Sequence, residues 1–307
     1  MTSPSTHITV CICTYRRPDL LKSLLEDLRD QDTGGLFTYS ILVVDNDNHR
    51  SAAGVVSTFA ARQVVHVEYY VEPEQNIALA RNTAIEHAIG DFVVFIDDDE
   101  SPIQRWLLTL FEACSKHNAH GALGPVYPRF SESPPAWVVA GKFYDRPTYP
   151  TGFVIDWRKG RTGNTLLKKE VFAGMVQPFR PEFRTGEDQD FFRRMIEKGY
   201  VFIWCNEAVA FEVVPPIRWN RSFMLRRALL RGYTSLAHPT FAMRDILTSA
   251  VAAPSYVLAL PFALAMGQGK FMSILVRLFD HLGRLLGFVG INPIREPYVT
   301  TAGKDVS

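Results

Sequence analysis

The chain has 307 residues, enough for one large domain or a domain with an appendage, so a sizeable buried core poses no difficulty. Its 33 Lys and Arg nearly cancel 32 Asp and Glu, and a formal charge of +1 removes any global electrostatic reason to bind nucleic acid. The four cysteines, Cys11, Cys13, Cys114 and Cys205, show neither zinc-site spacing nor a secreted disulfide framework, so reduced, buried thiols are expected.

The opening MTSPSTH is polar and leads straight into a strand-like run, without the pattern of a signal peptide. Short apolar, β-rich runs follow at 8–13 (ITVCIC), 39–44 (YSILVV), 66–71 (HVEYYV) and 92–96 (FVVFI). They do not alternate, and helical stretches separate most of them, which points to a parallel sheet covered on both faces. Pro18 suits the first turn of a helix whose Leu20, Leu21, Leu24, Leu25 and Leu28 form one stripe. Further helices are expected over 77–89, stopped by Gly90, and over 102–116.

Between 120 and 186 the chain is rich in Gly, Pro and aromatic residues, and short strands and irregular loops are expected there. Gly186 precedes another helix, FFRRMIEKG, and short strands are expected over 201–205 and near 209–213. After Pro215-Pro216, five arginines (Arg218, Arg221, Arg226, Arg227, Arg231) fall in a stretch without an acid. Residues 249–267 then carry no charge, a length within the roughly 17–25 residues of a membrane span, though Pro254 and Pro261 point to a kinked or re-entrant segment. Over 271–291 the leucines gather on one face and Arg277, Asp280, His281 and Arg284 on the other, the pattern of a helix lying in an interface. Packing of 246–291 on the domain or on a second subunit explains the same pattern, so a homo-oligomer stays open.

The chemistry concentrates at strand ends. Asp97-Asp98-Asp99-Glu100 ends the most apolar strand, on the side where a doubly wound sheet binds ligands. Massed carboxylates need a counterion, and an Asp-x-Asp spacing suits a Mg²⁺ or Mn²⁺ ion bridged to substrate phosphates. The plainer reading is that Asp99 or Ser101 caps the next helix. Asp45 ends another strand as an acceptor for a base or ribose, or as an Asx turn. The loop of Thr14, Tyr15, Arg16 and Arg17 meets the same cleft. Asn76 and Arg81 flank a helix start, where an anion is favoured. Glu187 and Asp188 open a helix, as catalytic acids or as ordinary first-turn acids.

Taken in order, ITVCICTYRRP, ILVVDND, NIALARN, FVVFIDDDE and TGEDQDFFRR resemble the family 2 glycosyltransferases with the GT-A fold, over roughly residues 7–232. TYRRP, the VVPP segment before the arginine-rich helix, and the apolar tail further resemble glucosyltransferases of succinoglycan-type exopolysaccharide assembly. The resemblance implies an α/β, Rossmann-like, mostly parallel doubly wound sheet over 1–215, an arginine-rich connector over 216–245, and a helical membrane-associated segment over 246–307. It implies an inverting, metal-dependent transfer of one hexose, with UDP-glucose the favoured donor, to a lipid-linked saccharide at the cytoplasmic face of the inner membrane.

It further implies roles for individual residues. Thr14, Tyr15, Arg17, Asn76, Arg81, Asp97 and Asp98 would line the nucleotide pocket, with Asp45 on the uracil. Asp99 would hold Mg²⁺ or Mn²⁺, with Glu212 where many relatives carry a histidine. Asp188 would be the catalytic base, Glu187 and Trp219 would meet the acceptor, and Arg226, Arg227 and Arg231 the diphosphate. No Gln-x-x-Arg-Trp segment of the processive synthases is present, which favours single transfer. Two other readings stand beside this one. A nucleotidyltransferase would need a glycine-rich loop after the first strand, which TYRRP is not, and an inactive scaffold would not need to keep Asp97, Asp99 and Asp188.

Overall fold

The computed structural model describes residues 6–183, 185–238 and 240–294, so the end of the expected C-terminal segment, 295–307, lies outside the described residues. The four apolar runs form strands β1 (His7–Thr14), β2 (Thr38–Asp45), β3 (Val67–Val71) and β4 (Phe92–Phe95), parallel in the order β3-β2-β1-β4. The seven-stranded sheet continues through β8 (Thr165–Lys168), β6 (Gly121–Leu123) and β9 (Phe202–Trp204), with β8 antiparallel to both neighbours and β6 parallel to β9. The sheet is thus mixed but mostly parallel, as expected.

Each central strand serves two cores because successive side chains point to opposite faces. Ile8, Val10 and Ile12 of β1 join Ile41 and Val43 of β2 in one core, covered by α1 (Pro18–Leu28), α2 (Ala53–Ala60) and α4 (Trp106–Lys116). Cys11, Leu42, Val44, Val93 and Phe95 enter the other, covered by α3 (Ile77–His87) and α6 (Glu187–Glu197). From α1, Leu21, Leu24, Leu25 and Leu28 are fully buried, at about 1.5–3 kcal/mol each. The four cysteines are free thiols.

One expected helix is shorter at its start. Residues Glu100–Pro102 form β5, paired antiparallel with β10 (Ala210–Val214), so that Glu100 faces Glu212 across the ladder. With β7 (Val126–Phe130) they make a three-stranded sheet, and α4 begins only at Trp106. Ser101 donates to Asp27 at 2.5 Å, and α4 has no side-chain cap. The capping reading of Asp99 and Ser101 is thereby corrected: a partner strand more than a hundred residues away uses the backbone first.

The chain divides into two compact units, one of residues 1–127, 146–181 and 187–213, the other of 128–145, 182–186 and 214 onward. The second unit holds α5 (Ala136–Ala140), α7 (Arg221–Thr234), α8 (Met243–Ala265) and α9 (Gln268–Phe288), with α9 packed on the other three. Helix α8 continues through Pro254 and Pro261 as one element, and its 23 residues span about 35 Å. Helix α9 meets its neighbours largely through the face its sequence makes polar: Asp280 accepts from Arg231 of α7 at 2.7 Å, and His281 and Arg284 each lie 3.0 Å from Ser249 of α8, while of its leucines only Leu278 is buried.

Helices α7 and α9 cross at two glycines. A Cβ on Gly232 would overlap the Asp280 carbonyl oxygen, and one on Gly283 the Leu229 carbonyl oxygen. Gly232→Ala is therefore expected to lower the stability of this unit by about 1–3 kcal/mol, because backbone must move to admit the methyl group. A urea titration of the variant checks this, and an unchanged midpoint would refute the close crossing.

Candidate active site

Strands β1, β2 and β4 end at the same edge of the sheet, beside the point where the strand order reverses around β1. The loop after β1 is bound to the acids after β4. Thr14 Oγ1 donates to Asp98 Oδ2 at 2.8 Å, Arg17 Nη1 donates to Asp98 Oδ1 at 2.9 Å, and the same nitrogen lies 3.3 Å from Asp99 Oδ2. Arg16, turned out by a positive φ of 52°, lies 3.3 Å from Asp47 and 5.1 Å from the Tyr15 ring. Tyr15 is half-buried and Asp98 buried.

Asp45 is fully buried and its oxygens are engaged. It accepts from the N–H groups of Asp47 (3.1 Å) and Ala52 (2.7 Å) and from the Tyr69 hydroxyl (2.9 Å). The expected uracil contact would have to share an oxygen that already anchors the loop after β2.

Asn76 is likewise a structural cap in this arrangement. Its Oδ1 accepts from Ala78 N–H at 3.0 Å, and its Nδ2 donates to the Pro181 carbonyl at 2.8 Å. Farther along the same helix, Asn82 exchanges two hydrogen bonds with the backbone of Phe179. Together they tie α3 to the segment that leads into α6. Buried Asp190 on α6 holds Arg193 (3.1 Å) and Arg194 (2.8 Å) of the same helix and lies 3.6 Å from Arg180 in the segment before it.

Arg81 joins the two acidic segments. Buried on α3, it forms an ion pair with buried Glu187 of α6 and lies 3.9 Å from Asp97 at the end of β4. Next to Glu187, the Asp188 carboxyl is pushed up to about 7, by burial first and then by the Glu187 charge; Arg81 and the Gln189 N–H pull it the other way. Asp188 Oδ1 accepts that N–H at 2.7 Å. A carboxylate with this affinity for protons is matched to general-base work near neutrality.

The remaining acids gather around Gly163. A Cβ there would lie 2.9 Å from Asp97 Oδ2 and 2.9 Å from Glu100 Oε1, so both oxygens face one spot that only a glycine leaves open. Glu100 Oε1 is buried with no hydrogen-bond partner. Burial, reinforced by Asp97 and Asp99, pushes Glu100 well above the usual carboxylate range. Glu212 is paired with Arg146, while burial and then Arg146 lower Arg161 to about 10. Among the described residues no group of three or more His, Cys, Asp or Glu is already arranged around a single ion position. The donors nevertheless fit a hard divalent cation in kind: oxygen ligands, excess negative charge and an orphaned carboxylate oxygen.

The other predicted site residues belong to the second unit. Trp219 ends a short 3₁₀ turn, with its ring 5.6 Å from Phe130. Arg226, Arg227 and Arg231 lie on α7, where Arg231 Nε donates to Asp280 Oδ1 at 2.7 Å.

Residues 9–180, more than half of the chain, match the family model described as Glycosyl transferase family 2. The chain is a family 2 glycosyltransferase. This transferase is 29% identical, over 96% of its own length and 97% of the other's, to the succinoglycan biosynthesis protein ExoM of Rhizobium meliloti strain 1021. Over 37% of its length and 36% of the other's, it is 25% identical to the GalNAc(5)-diNAcBac-PP-undecaprenol beta-1,3-glucosyltransferase of Campylobacter jejuni. Its fold matches the mannosyltransferase PcManGT from Pyrobaculum calidifontis, solved with GDP-Man and Mn²⁺, with a TM-score of 0.58, 17% identity, and 91% and 86% of the two chains covered.

In the transferase, sequence reasoning missed Arg146, Arg161 and Gly163, which meet Asp97, Glu100 and Glu212. They lie in the Gly- and Pro-rich stretch whose pairing no periodicity signals. Arg161-Thr162-Gly163-Asn164, a polar run entering β8, was the available hint.

Proposed function

We propose that the enzyme transfers a single hexose, with inversion, from a UDP-sugar to a lipid-linked saccharide during surface-polysaccharide synthesis, at the cytoplasmic face of the inner membrane. The observation that carries this reading is Asp188, a half-buried carboxyl pushed up to about 7 beside the Arg81–Glu187 pair and Asp97. Asp188 takes the proton of the acceptor hydroxyl as that oxygen bonds to the anomeric carbon. The bond to the diphosphate breaks from the opposite face, and the configuration inverts. A two-step route through an enzyme nucleophile finds little support: Cys13, near Arg81 and Asp97, is pushed up to about 12 by burial and stays a thiol.

UDP-glucose is the favoured donor, supported by the exopolysaccharide resemblance and by a glucosyltransferase among the relatives. Thr14, Tyr15, Arg17 and Asp98 shape the nucleotide side, with Asp45 and Asn76 holding its loops. Glu187 and Trp219 are proposed for the acceptor, and Arg226, Arg227 and Arg231 for the diphosphate. Asp99, with Glu212 and the open oxygens of Asp97 and Glu100, would hold Mg²⁺ or Mn²⁺. Such an ion supplies charge stabilisation at the departing diphosphate.

The test is hydrolysis of UDP-glucose with and without Mn²⁺, together with calorimetry of UDP binding. Slow, Mn²⁺-dependent hydrolysis is expected, and Asp99→Ala should weaken UDP binding at least 10-fold in Mn²⁺ and little in its absence. Equal weakening under both conditions would remove Asp99 from the ion, and no hydrolysis of any UDP-sugar would overturn the assignment of donor.

A further inference from the structure

The second unit contains an open cavity of about 920 Å³, within the size range of ligand clefts, between the end of α5, the end of α8 and the first turns of α9. Its lining has three cations, Lys142, Lys270 and Arg277, and no acid. None of the three forms an ion pair among the described residues. Two aromatic rings, Trp137 and Tyr256, complete the wall. The Arg221 guanidinium lies 5.3 Å from the Trp137 ring and donates to Gln268 at 2.7 Å, which fixes that side.

Next to this cavity the surface changes character. Helix α8 exposes Leu247, Val251, Leu258 and Phe262 at 64–75% and is long and apolar enough to cross a bilayer. An exposed apolar face of this size needs a cover, and three unpaired cations at its end need an anion. An amphiphile with a phosphorylated head satisfies both at once. Aromatic rings at such a boundary match the membrane interface, and their faces suit a sugar.

We propose that this cavity binds the diphosphate head and first sugar of an isoprenoid-type lipid, with the exposed face of α8 against the lipid chains. The inference rests on the lipid-linked acceptor proposed above and names where this unit holds it. Selectivity comes from three cations meeting one doubly charged head, which singly charged phospholipids cannot match. Each cation near an anionic head is worth roughly a five-fold gain in affinity, so the three together give about 100-fold.

The experiment floats the full chain with phosphatidylcholine vesicles carrying a polyprenyl diphosphate, and with vesicles carrying phosphatidylglycerol at equal charge. The wild type should bind the diphosphate vesicles more tightly, and the triple variant Lys142→Ala, Lys270→Ala, Arg277→Ala should lose about 100-fold. The charge-preserving variant Lys142→Arg, Lys270→Arg, Arg277→Lys should keep most of the binding. Unaltered UDP binding by the triple variant shows that its fold is intact. Equal binding to both vesicle types, or undiminished binding by the triple variant, would overturn the proposal. A failure of UDP-sugar hydrolysis would instead count against the donor assignment and leave the vesicle result standing.

Discussion

Asp188→Asn is expected to lower turnover by ~10²–10⁴-fold, the usual contribution of a general base, while donor affinity stays nearly unchanged. The same substitution should stabilise the protein at alkaline pH. In the folded chain the carboxyl keeps its proton up to about 7, whereas in the unfolded chain it ionises near 4. The folded state therefore binds more protons between those values, and stability falls as pH rises through that window. Asparagine cannot ionise, so the variant should match the wild type near pH 4 and exceed its thermal midpoint at pH 8. Wild-type turnover should rise with pH and level off above about 7, since only the ionised base accepts the proton. A variant with normal turnover, or a flat pH profile, would take Asp188 out of the reaction.

Arg81→Met should produce the largest loss of stability of any substitution at the site. It strands the Glu187 carboxylate, whose side chain is only 8% exposed, and breaking one side of a buried pair costs about 3–5 kcal/mol. Asp188 would also lose the cation that opposes its upward shift, so the limb of the pH profile should move to higher pH. The double variant Arg81→Met, Glu187→Met should recover most of the stability, because well-packed apolar groups often replace a buried pair at little cost. Its activity should stay low. Urea titrations of the wild type, both single variants and the double variant measure the coupling. A loss below about 1 kcal/mol for Arg81→Met would mean that the pair is solvated and that Glu187 needs no partner.

Both predictions concern residues that were visible in the sequence, yet the relation between them was not. FVVFIDDDE placed an apolar strand before massed acids, and TGEDQDFFRR placed acids at a helix start. That Arg81 would sit between Glu187 and Asp97 depends on helices separated by 106 positions in the chain. The burial of Asp45 by Tyr69 and Ala52 had no local signal either, since an Asx turn and a ligand contact draw on the same residue type.

What the sequence determined by itself was the covered parallel sheet, the leucine face of α1 and the gathering of acids after β4, because strand and helix periods are written in neighbouring residues. Only the tertiary structure decided that Glu100–Pro102 would be a strand, that α9 would turn Asp280, His281 and Arg284 toward α7 and α8, and that Glu100 would be left with an unpartnered oxygen beside Gly163. Those outcomes turn on which distant backbone arrives to pair, how closely two glycines let helices approach, and how far water is excluded from a charge. None of these quantities is a property of a residue and its neighbours in the chain; each exists only once the chain has closed on itself.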